Sequence, residues 1–219
     1  MPQAPHNFPS YSRAEITADR IVHLIGVPTA VIAAIWLIVA VSHTDSTRLI
    51  VTMSIYSAGL VGMLTASAAY HLSPPGRLKE ILRRADHAMI FVMIAGSYTP
   101  FTLNALDSPD GVVLCAVVWS LAVFGVTMKL LFPRRFERMS LVLYLGMGWL
   151  VLSMIPSLID RLPGPAFALL VGGGIAYSIG AVIYTRRRLR FHNAAWHVLV
   201  LIGAGLHLTA LTTAFLPGA

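Results

Sequence analysis

Seven apolar runs, each about as long as a bilayer crossing, leave this chain little choice of fold. They cover residues 20–42, 48–72, 86–106, 111–132, 139–159, 165–185 and 193–215. A spanning helix needs about 20 consecutive apolar residues, and every run meets that length. Only 11% of the 219 residues are charged, against about 25% in a soluble domain. So few charges cannot cover a globular surface. The expected fold is an all-α integral membrane protein, a seven-transmembrane-helix bundle in the cell membrane. Residues 1–19 are expected to form a polar tail, and residues 20–219 a single membrane domain. The tail has no short apolar core with a small-residue cleavage site, so the first run is expected to stay as a span. The lone cysteine, Cys115, lies inside an apolar run and has no partner for an internal disulfide.

The breaks between spans fix the orientation. Arg13 and Arg20 precede or open span one. Arg77, Lys79, Arg83 and Arg84 follow span two. Lys129, Arg134, Arg135 and Arg138 bracket the break after span four, and Arg186, Arg187, Arg188 and Arg190 follow span six. Of the 16 Lys and Arg, only Arg48 and Arg161 fall on the other side. Lys and Arg concentrate in cytoplasmic loops. The N-terminus is therefore expected inside and the C-terminus outside. The net charge of +7 is explained by basic loops meeting anionic lipid headgroups. It calls for no nucleic-acid partner; membrane lipids are the expected partners.

Ionisable residues within spans are costly and usually functional. Their depths coincide. Span two ends in "LTASAAYHL", with Ser67 one turn from His71 on the same face. Span three opens on Asp86 and His87. Span seven opens with His192, Asn193 and His197, and span one carries His23 at a similar level. One layer near the inner face thus collects imidazoles, a carboxylate and a hydroxyl. Zinc takes such donors, and a catalytic zinc site keeps one position for water. Taken singly, His23 and His192 read as interfacial residues. His207 lies ten residues past His197, about 15 Å deeper, and reads as a buried, hydrogen-bonded histidine. Gly172, Gly173, Gly174 and Gly180 read as positions of close helix packing. Pro100 in "GSYTP" is expected to bend span three.

The stretches "SAAYHL", "RRADHAMIFVMIAGSYTPF" and "NAAWHVLVLIGAGLH" occur in this order across nearly the whole chain. In them the sequence resembles the hemolysin III family, the bacterial branch of the progestin and adipoQ receptor proteins, grouped with alkaline ceramidases. The resemblance implies zinc near the cytoplasmic face. It implies a Ser-x3-His in span two, met by Ser67 and His71, and an Asp opening span three, met by Asp86. It also implies a His-x3-His opening span seven, where His197 matches but the first position is Asn193, whose amide is a poor zinc ligand. His192, next to it, points about 100° away on a regular helix.

Three functions are weighed on this basis. The first is a zinc-dependent hydrolase of lipid amides or esters. In it Asp86 is the general base on water, directly at the metal or through a hydrogen bond, and Ser67 supports the oxyanion or Asp86. The second is a non-catalytic membrane or signalling protein in which zinc ties spans together. The third is a membrane-damaging hemolysin. The spans show no polar stripe of the kind that lines a pore, which counts against the third.

Overall fold

The computed structural model describes residues 11–132 and 134–216. All its regular elements are helical. α1 (Arg13–Ser42), α2 (Thr47–Leu72) and α3 (Arg77–Pro100) are followed by a π-helical turn (Phe101–Ala105). α4 (Pro109–Leu131) comes next. Then come α5 (Glu137–Trp149), a 3-10 turn (Leu150–Met154) and α6 (Ile155–Arg161). α7 (Gly164–Thr185) and α8 (His192–Phe215) complete the chain. With the turns counted into their helices, seven segments are long and apolar enough to cross a membrane. The chain is a multi-pass, all-α membrane protein. Large apolar side chains such as Leu24, Ile32 and Val142 point outward, as a lipid-facing surface requires.

α1 starts earlier than its apolar run. Ser12 and Glu15 form a capping box: the Ser12 oxygen accepts from the Glu15 backbone, and the Glu15 carboxylate accepts from the Ser12 backbone at 2.9 Å. This satisfies two free helix-start N–H groups and carries the helix through Asp19. α3 likewise begins at Arg77. Most of the polar stretch before Asp86 is helix, so Asp86 sits in the third turn of α3.

Two spans are irregular, for identifiable reasons. Pro100 cannot donate a backbone hydrogen bond. The turn after it widens to π geometry, and the Asn104 side-chain amide donates to the Pro100 carbonyl at 2.9 Å. Span five breaks at Leu150, ahead of Pro156. The Tyr98 hydroxyl from α3 mends the break: it donates to the Met147 carbonyl at 2.8 Å and accepts from the Val151 N–H at 2.7 Å. Broken backbone at membrane depth survives where such partners exist.

The spans form a ring. Each of α1 to α4 packs on its chain neighbour, α7 packs on α8, α8 closes against α1, and α5 sits between the α3–α4 pair and α7. One apolar core joins α1, α2 and α8 around Leu37, Met53, Tyr56 and Leu211; another joins α3, α4 and α5 around Phe91, Val118 and Met147. Two of the four α7 glycines sit at close contacts: a Cβ at Gly173 would overlap the His207 ring, and one at Gly180 would overlap Trp196, whereas Gly172 and Gly174 have ordinary room for one. Within the ring lies a cavity of about 1900 Å³. A reporter enzyme that works only outside the cytoplasm is expected to be active when fused after Ala219. Activity confined to a cytoplasmic reporter would overturn the orientation drawn from the basic loops.

Candidate metal centre

Four helices bring their polar residues to one end of the cavity, the end with the basic loops. α1 supplies Asp19 and His23, α2 supplies Ser67 and His71, α3 supplies Asp86 and His87, and α8 supplies Asn193 and His197. Donor atoms of Asp19, His23, His71 and His197 all lie within 4.8 Å of one another. The three imidazole centroids are 4.5 to 5.1 Å apart.

Asp19 is the hub. Its Oδ1 lies 2.6 Å from His197 Nδ1 and its Oδ2 lies 3.0 Å from His71 Nδ1. A carboxylate only accepts, so both Nδ1 atoms carry the hydrogen. That leaves both Nε2 lone pairs free in the neutral tautomers. A carboxylate bonded to the far nitrogen of an imidazole is the usual way to orient a metal-binding histidine. His197 Nε2 faces Ser67, whose Oγ is 3.5 Å away. Ser67 and Asp86 both line the cavity beside this group. His23 Nε2 is 3.7 Å from Asp19 Oδ2, too far to bond, and has no hydrogen-bond partner among the described residues.

The remaining site candidates fall outside this group. The Asn193 amide lies 3.2 Å from His71 Nδ1, beside a candidate ligand. His192 turns away, its Nδ1 at 3.0 Å from the Leu189 carbonyl. Asp86 is buried, 8% exposed, and outside the four-residue group; His87 Nε2 is 4.0 Å from it. His207 contacts the Leu170 carbonyl at 3.2 Å, deep in the cavity. Asp19 is the residue the sequence reading omits, because the polar tail was drawn to end there. Its signal is the i, i+4 spacing to His23, which puts both on one helix face.

These residues fit a zinc ion. The donor set of three imidazoles and a carboxylate is one zinc favours. His23 holds an orphaned buried nitrogen. Asp19 and Asp86 are both buried, and among the described residues neither has a Lys or Arg within 4.0 Å. Two buried carboxylates without a cationic partner are costly, and a divalent cation between the imidazoles would compensate them.

Fold and site together define a seven-span membrane protein with a histidine–carboxylate centre at the basic end of its cavity. A sequence model described as "Haemolysin-III related" matches residues 14–208. The chain is 38% identical to a protein named hemolysin-3 homolog from Bacillus subtilis (strain 168), over 87% of this chain and 89% of the relative. It is 35% identical to hemolysin-3 of Bacillus cereus, over 88% of each. The chain belongs to the haemolysin-III related family.

Proposed function

We propose that this protein is a zinc-dependent hydrolase that cuts lipid amides or esters at the basic end of its cavity. The observation that supports this most is the placement of Asp86. It is a buried carboxylate outside the four-residue group, on the wall of a large cavity that Ser67 and His197 also line. A purely structural centre has no use for such a group. Zinc bound by His23, His71 and His197 would polarise the lipid carbonyl and ease attack by water. Asp86 takes the proton of the attacking water and returns it to the nitrogen or oxygen that leaves. Ser67 steadies Asp86, or donates to the carbonyl oxygen as it gains charge. Asp19 keeps His71 and His197 in their metal-binding tautomer. The cavity's apolar wall holds the acyl chain.

One observation favours a second reading. If an Asp19 oxygen joins the metal as a fourth ligand, the centre is closed, as structural zinc sites are. It would then clasp α1, α2 and α8 without turnover. Metal analysis of the purified full-length protein, followed by fatty-acid release from a short-chain ceramide and a phospholipid, separates the two. The expected result is about one zinc per chain and release from at least one substrate, lost with a chelator and restored by zinc. A zinc-loaded protein that releases nothing would establish the second reading.

A further inference from the structure

Lys129 is unlike the other basic residues of the cavity rim. It lies two residues from the end of α4, where a lysine ordinarily reaches outward to the headgroup layer. Leu131, two residues on and facing the opposite side of the helix, is 65% exposed, whereas Lys129 is 5% exposed and lines the cavity. Among the described residues it makes no hydrogen bond and has no carboxylate within 4.0 Å. The acids nearby are engaged. Glu137 accepts from Arg83 Nη1 at 3.0 Å and has Arg187 at 4.0 Å; Glu80 is bonded by Arg134 and lies 3.6 Å from Arg83 Nε. Arg83 is itself buried, and its Nε has no hydrogen-bond partner. Arg83, Arg134 and Arg187 thus take up Glu80 and Glu137, and the two buried cations, Lys129 and Arg83, both line the cavity. The counter-charge nearest in effect, Glu137, lies beyond 4.0 Å and is shared with Arg83 and Arg187; a buried ammonium without a close partner is costly, and an anion in the cavity lowers that cost.

We propose that the cavity binds an anionic lipid, with its headgroup anion held by Lys129 and the adjoining edge of Arg83. Lys129, Arg83 and His87 all line the cavity, and His87 borders Asp86. From His87 the wall continues through Ile90, Met93, Ile94, Ser97, Tyr98 and, in the π-helical turn, Phe101, about 20 Å along the helix axis. That is a mostly apolar track for an acyl chain. A free inorganic anion would use Lys129 but leave this track unused; a zwitterionic lipid would bring its own cation to a place that already has too many. The proposal deepens the hydrolase reading by naming its substrate class, and rests on it only for the claim that the bound lipid is cut.

Binding to the purified full-length protein in a neutral maltoside detergent tests this without turnover. The probes are dodecyl phosphate, dodecylphosphocholine and inorganic phosphate, each measured with and without a metal chelator. Dodecyl phosphate is expected to bind at least about tenfold more tightly than either of the others. Lys129→Gln should remove that preference and Lys129→Arg should keep it. A second readout guards against a misfolded variant: dodecyl phosphate should slow amine acylation of Lys129 in the wild-type chain, and dodecylphosphocholine should not. Equal binding of the two amphiphiles, an unaffected Lys129→Gln protein, or equal binding of inorganic phosphate would each overturn the proposal. Preference for dodecyl phosphate in a zinc-loaded protein that hydrolyses nothing would sustain the lipid site and overturn only the hydrolase reading.

Discussion

Asp86→Asn is expected to keep the fold and most of the zinc while lowering lipid hydrolysis by about 10²–10⁴-fold, the usual weight of general acid–base catalysis. The amide has the shape of the carboxylate and can still hydrogen-bond, but it cannot take a proton from water. The measurement needs three readouts on one preparation: fatty-acid release, zinc content and thermal stability. Zinc and stability falling together would show that Asp86 ligates the metal directly, although it lies outside the group formed by Asp19, His23, His71 and His197. Three unchanged readouts would remove Asp86 from the chemistry. A residue favoured merely by the helix dipole is not an available explanation, because that effect fades within the first turn and Asp86 is in the third turn of α3.

Zinc affinity should divide the histidine layer sharply. Asp19→Asn is expected to weaken zinc by about 10–100-fold, the cost of losing a carboxylate that orients metal-binding histidines. X-ray absorption should still count three imidazoles in that variant. His23→Ala, His71→Ala and His197→Ala should each lose more, with the imidazole count falling. His207→Ala should retain the metal, since His207 is committed to the Leu170 carbonyl well away from the group. Zinc stripped by His207→Ala but retained by His71→Ala would show that the centre has been placed at the wrong depth.

The spans and the depth of the site could be read from the sequence because hydropathy and loop charge record a residue's height in the membrane. They do not record which way a side chain faces around its helix. His71 and His197 were legible, since each sits at the proper level within a recognisable motif. His23 reads singly as an interfacial residue, and only the docking of α1 on α2 and α8 turns it toward the other imidazoles. Asp19 was invisible for another reason. Hydropathy marks where lipid begins, while the Ser12–Glu15 capping box sets where the helix begins, and Asp19 falls between the two. The break in span five depends on Tyr98, some 50 residues earlier in the chain, which no local pattern could link to Leu150.

The hydrogen bond from His197 to Asp19 spans 178 residues, nearly the whole chain. Synthesis runs from the N-terminus, so Asp19 and His23 enter the membrane long before their partner on α8 exists. Throughout that interval α1 must remain available, with its buried carboxylate reaching for water or headgroups at the bilayer edge. The centre can close only after the last span has been released and inserted. Any metal the centre takes would then be loaded as the final event of assembly, and a chain stopped anywhere before α8 leaves the ring of helices open.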